Sequence, residues 1–171
     1  SAENLVVVDG PLPPSLCGAA PGAAFDGARH GRAIGLVKRI HELYVGDRAR
    51  VLPRLGVGER TPLFALRSSS RFARYSWFLR LARPGPGESD LTGLVRLEVA
   101  EQIGRDEARR LADIAARVLP RYAPTRSRDP RSPQNILPIG ALEGHLRRLL
   151  GDRRLVRRHI QTLLSRGGGL G

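Results

Sequence analysis

The sequence predicts an α/β fold with a central mixed β-sheet flanked by helices. Two observations predict it. Short runs rich in β-branched and aromatic residues recur at 5–8, 33–37, 62–66, 75–81 and 93–99, with the length and texture of strands. Apolar stripes at helical spacing follow at 106–118, 138–149 and 156–164, as expected of helices that bury one face. A chain of 171 residues is long enough to build one ordinary domain around a real core, and a single domain over 1–171 is expected.

The first strand, Leu5-Val6-Val7-Val8, is wholly apolar and suits a strand covered on both faces in the middle of a sheet. It stops at Asp9, and Gly10-Pro11 breaks it, which delivers the carboxylate where the backbone turns. A carboxylate at a rigid strand tip is one way to hold a divalent metal; the alternative is that Asp9-Gly10 simply starts a turn. Residues 13–32 are rich in Pro, Gly and Ala and read as a long loop, with Asp26 and His30 as surface residues. Ala33-Ile34-Gly35-Leu36-Val37 is a second strand, closed by Lys38 and Arg39. Ile40, Leu43 and Tyr44 then continue at helical spacing.

After a charged, turn-rich stretch at 46–60, the run 62–66 is a third strand. Tyr75, Trp77, Leu79 and Leu81 alternate with Ser76, Phe78 and Arg80, and Val95, Leu97 and Val99 alternate with Arg96 and Glu98. The turn 83–88 between these runs makes them an antiparallel hairpin. In that geometry Arg80 and Arg96 share a face and suit a phosphate track; equally, Arg96 and Glu98 can neutralise each other across a solvated face. Ala108, Leu111, Ile114, Ala115 and Val118 form the stripe of a helix that Asp106 or its neighbours can cap and Pro120 stops. The Pro- and Arg-rich linker 120–133 contains Arg126, Arg128 and Arg131, candidate nucleic-acid contacts in a segment that otherwise reads as solvated. A helix opening at Pro138 carries His145 on its apolar stripe beside Leu142 and Leu149, where a histidine is either a satisfied core residue or a functional one. A last helix follows, and 166–171 is an expected frayed tail.

Composition narrows the function. A net charge of +13 points to a polyanionic partner, nucleic acid first, although arginine-rich usage with almost no lysine also fits the habit of a GC-rich coding sequence. Lys38 is the only lysine in the chain, which marks it as a compact charge for a phosphate oxygen or a carboxylate. The single cysteine, Cys17, excludes an internal disulfide and a cysteine-rich zinc site. No run approaches the roughly 20 apolar residues that span a membrane, and a cytoplasmic location is expected.

In order along the chain, LVVVDGPL, AIGLVKR, YSWFLRL, GLVRLEV and PQNILPIGALEGHLRRLLGD resemble the NurA-type DNA nucleases, and the resemblance spans nearly the whole sequence. It implies an RNase H-like core, a catalytic manganese (or magnesium) ion held by acidic residues, and DNA end processing beside a HerA-type hexameric ATPase. It matches Asp9 to the family's internal aspartate, His145 to its C-terminal histidine and Lys38 to the lysine closing the next strand. Expected DNA contacts are Arg39, Arg80, Arg96, Arg126, Arg128 and Arg131, and the expected partners are DNA, the ATPase and a second copy of the chain, with no membrane. The pattern departs in two places: Leu137 stands where many members have tyrosine, and an earlier aspartate and glutamate of the family have no counterpart before Asp9. The chain begins without methionine almost on its first strand, so those acids are expected upstream. Since one aspartate cannot build a two-metal site, the chain is expected to be one component of an active site. The rival expectation is a nonenzymatic basic module that binds DNA or docks on a motor ring; a third, an RNA-associated protein, has composition but no motif order behind it.

Overall fold

A computed structural model describes residues 5–13, 32–40, 42–67, 73–124, 136–138, 141–142 and 145. The chain divides into two compact units, Ser1–Ile136 and Leu137–Gly171. In the first, strands β1 (Val6–Asp9), β2 (Ala33–Val37), β3 (Phe64–Arg67), β4 (Ala73–Arg80) and β5 (Leu94–Ala100) form a five-stranded mixed sheet in the order β1-β2-β5-β4-β3. β1 and β2 are parallel, and every other neighbouring pair is antiparallel. A single α-helix among the described residues of this unit, α1 (Arg105–Val118), and a 3₁₀-helix at Gly46–Arg54 accompany the sheet.

The central strands are β2 and β5, buried along their whole length. β1 is instead an edge strand among the described residues: Val6 is 51% exposed and the strand's burial is only partial. Its apolar composition matches a central strand, but composition does not say whether a neighbour lies on each side. The expected hairpin is present, with β4 and β5 in the register Ser76↔Glu98 and Phe78↔Arg96. Its turn contains Gly87 at φ +79°, and the Glu88 carboxylate accepts the Gly85 N–H at 2.7 Å. Gly93 opens β5 at φ +79°, where a Cβ would run into the Ala82 carbonyl, so only glycine fits.

One sheet face carries Val8, Gly35, Arg96, Glu98, Ser76 and Phe78. Leu52 of the 3₁₀-helix packs on this face with Phe78 and Leu94, helped by Ile40, Leu43 and Phe64. The described residues of the stretch expected to be helical from Ile40 to Tyr44 are not helical: Ile40 and Leu43 pack on the Phe78 cluster, and Tyr44, 53% exposed, has a positive φ of 56°. The opposite face buries Ile34, Leu36, Trp77, Leu79, Leu97 and Val99. α1 lies against β4 and buries Ala108, Leu111, Ala112 and Ala115. Gly104, at φ +83°, turns the chain into the helix in the capping position, two residues before Asp106, and no side chain caps it; Asp106 and Glu107 occupy its first turn and Arg117 its last, in accord with the helix dipole. No described helix is long and apolar enough to cross a membrane. Most of the expected loop 13–32, the later part of the expected linker 120–133 and the expected last helix and tail lie outside the described residues, and with them Asp26, His30, Arg126, Arg128 and Arg131.

Candidate functional site

The parallel strands bring Asp9 and Lys38 together. β1 ends at Asp9, and Gly10, at φ +104°, donates its N–H to the Leu36 carbonyl at 2.9 Å. β2 ends one residue before Lys38. The Lys38 ammonium lies 2.7 Å from Asp9 Oδ1, with the lysine side chain 13% exposed and the aspartate 40% exposed. The chain's only lysine therefore meets the strand-tip carboxylate at the carboxyl ends of two neighbouring parallel strands, the position where open α/β sheets bind ligands. Arg39, the next residue, is exposed at the same strand end.

Behind the site is Glu98, expected only as a neutralising partner of Arg96 on a solvated face, and in fact buried. Past Gly10 the chain folds over the sheet, and Leu12 packs on Ala33 and Ala100. Its N–H donates to Glu98 Oε1 at 2.7 Å, and Glu98 is fully buried. The same carboxylate receives Arg96 Nη1 at 2.7 Å and Arg74 Nη1 at 3.2 Å. Arg96 also reaches Ser76 Oγ at 3.3 Å and stacks 5.5 Å from the Tyr44 ring centroid. The backbone passes so close that a Cβ on Gly35 would come 2.7 Å from the Leu12 nitrogen. Glu98 thus ties the exit of β1 to the centre of the sheet. By register its side chain is on the face opposite Asp9, in the row of Val8 and Gly35, so the two carboxylates do not form a dyad. The alternation around Arg96 and Glu98 was the available signal, but it reads identically for a solvated and a covered face.

The two arginines assigned to a phosphate track are on one face as expected, but that face is covered. Arg80 is 1% exposed. Its guanidinium donates to the carbonyls of Leu55 (3.2 Å), Thr92 (2.6 Å), Leu52 (2.9 Å) and Asp90 (2.8 Å). Burial lowers its pKa, with the Asp90 carboxylate opposing the shift. Arg96 is 8% exposed and committed to Glu98 and Ser76. Both are internal struts, because a donor bonded to a buried carbonyl or carboxylate is not on offer to a phosphate. His145 belongs to the second unit, where it is helical and exposed; Leu142, on the stripe expected to be buried, is 58% exposed.

Among the described residues, no group of three His, Cys, Asp or Glu side chains could hold a metal ion. Asp9 with its ammonium neighbour is not a metal centre by itself. No family model matches the chain, and no curated protein matches it at a significant level.

Proposed function

We propose that the chain is a component of a metal-dependent DNA nuclease of the NurA type, with an RNase H-like core, cutting phosphodiester bonds at DNA ends in the cytoplasm beside a HerA-type hexameric ATPase and a second copy of itself. The observation that carries this reading is the 2.7 Å Asp9–Lys38 pair at the carboxyl ends of β1 and β2. A lysine fixed beside a carboxylate at a strand end suits a phosphate: the ammonium draws the phosphate oxygen in and offsets charge that develops there, while the ion pair holds the carboxylate in one orientation. In this reading His145 is the imidazole of the same reaction, and Arg39 meets the DNA backbone. Manganese, or magnesium, is the proposed cofactor, with Asp9 as one ligand; the described residues do not complete its coordination, so no chemical step is assigned to it.

A second reading is a nonenzymatic DNA-binding or motor-docking module, for which the net charge of +13 and Leu137 in place of the family's tyrosine speak. One experiment separates them: cutting of linear DNA by the intact protein in manganese, with Asp9→Ala and His145→Ala variants. Cutting that both substitutions abolish supports the nuclease. Cutting unchanged by both removes the assignment, and salt-sensitive binding without cutting leaves the module.

A further inference from the structure

At the far edge of the sheet from Asp9, two hollows flank the Pro62–Leu63 segment. The first, about 530 Å³, has an apolar floor that includes Val51, Leu63 and Phe64, and Arg48, Arg50 and Arg54 against a single acid, Asp47, on its rim. The second, about 700 Å³, is polar and is lined by Arg60, Arg105 and Arg109 against Asp113. The chain backbone fixes this segment firmly. Gly58 and Thr61 donate to the Arg80 and Phe78 carbonyls at 2.9 Å, and Arg60 reaches across to Asp113 of α1 at 2.7 and 2.9 Å.

We infer that these hollows form an anchoring track for single-stranded nucleic acid. Even with Arg60 bonded to Asp113 and Arg109 3.8 Å from Asp106, the arginines on both flanks exceed the acids, and guanidinium groups suit phosphate oxygens. The apolar hollow between them takes the exposed face of a base, as single-strand grooves do. A duplex keeps its bases inside and would use the arginines while leaving the hollow empty. An acidic peptide with an apolar anchor is the competing occupant. The strand directions place the start of β3 at the same end of the sheet as Asp9 and Lys38. Four strand spacings, roughly 19 Å at about 4.8 Å each, separate β1 from β3. The track therefore holds the nucleic acid at a distance from the proposed reaction. The inference deepens the nuclease reading but is measured without cleavage.

The test is fluorescence anisotropy with the intact protein in EDTA, using a labelled oligothymidylate of about 20 nucleotides and a duplex of equal length at several salt concentrations. Arg48→Glu with Arg54→Glu, and Arg105→Glu with Arg109→Glu, are each expected to weaken oligothymidylate binding by about tenfold or more and to lower the salt slope by about 1.4. Val51→Asp is expected to weaken the single strand about fivefold or more and the duplex much less. Arg83→Glu, exposed on the hairpin turn and outside both hollows, stays within about twofold of wild type. Wild-type binding by both folded arginine pairs overturns the track. An equal effect of Val51→Asp on both DNAs overturns its single-strand character, and displacement by oligoglutamate at equal charge assigns the hollows to an acidic peptide instead. Absent cutting with this binding pattern intact counts against the nuclease alone; normal binding by the arginine pairs with cutting preserved counts against the track alone.

Discussion

Replacing Arg80 by methionine should destabilise the protein by about 3–5 kcal/mol without acting through DNA. At 1% exposure the guanidinium spans the 3₁₀-helix end and the hairpin turn, bonding the carbonyls of Leu52, Leu55, Asp90 and Thr92. Methionine keeps much of the apolar stem and removes every donor. A carbonyl left buried and unpaired costs about 1–3 kcal/mol; those at the rim recover water, which keeps the total near the lower end of the sum. At about 2–4 °C per kcal/mol for a domain of this size, the melting temperature should fall by roughly 10 °C. Arg80→Lys keeps the charge but reaches fewer carbonyls, and should lose about 1–3 kcal/mol. Urea denaturation of both variants, with DNA affinity measured on the folded fraction, checks the point. A methionine variant within about 1 kcal/mol of wild type, or one of normal stability that has lost DNA affinity, would refute the strut and restore Arg80 to a phosphate contact.

Glu98→Gln leaves Arg96 and Arg74 beside a neutral amide in the core, and should cost about 3–5 kcal/mol in chemical denaturation; a loss below about 1 kcal/mol would mean that the network is not what holds β1 to the sheet. Gly35→Ala pushes a methyl group to 2.7 Å from the Leu12 nitrogen, which should cost about 1–3 kcal/mol and lower DNA cutting in parallel by displacing Asp9. Cutting that is unchanged in a destabilised Gly35→Ala would separate β1 from the reaction. The Glu107 pKa is lowered, chiefly by its hydrogen bond from Arg110. Its stabilising contribution is therefore present above the ordinary glutamate pKa and is lost as pH falls through the lowered one. Glu107→Gln should melt below wild type near neutrality, and the gap should close below about pH 4; a gap independent of pH would show that the carboxylate charge is not involved.

Much of the sheet was legible because period-two alternation and glycine turns are local signals. The β4–β5 hairpin, β2, the α1 stripe and the strand-tip placement of Asp9 and Lys38 all follow from them. What the sequence hid was what lies on top of each element. Val6, Val7 and Val8 look central and occupy an edge among the described strands. Arg80 and Arg96 fall on a common face as expected, yet the 3₁₀-helix and the link before it cover that face, and the helical spacing of Ile40, Leu43 and Tyr44 gave no sign of that irregular cover. The Arg96–Glu98 pair forms, as one of the two readings had it, but buried rather than solvated, since a carboxylate between apolar positions spells a solvated face unless Leu12 is known to fold over it. Of the candidate site, the Asp9–Lys38 pair was readable because both residues end strands. His145 was placed on a buried stripe by spacing alone, and its helix exposes it.

In the proposed reading, Asp9 takes part in phosphodiester hydrolysis. The most direct measurement is the single-turnover cutting rate of linear DNA in manganese, with DNA saturating, for wild type and Asp9→Asn in the intact protein. Asparagine keeps the shape and removes the charge, so the account predicts a rate loss of about 10²-fold or more with DNA affinity unchanged. Equal rates for the two proteins would contradict it.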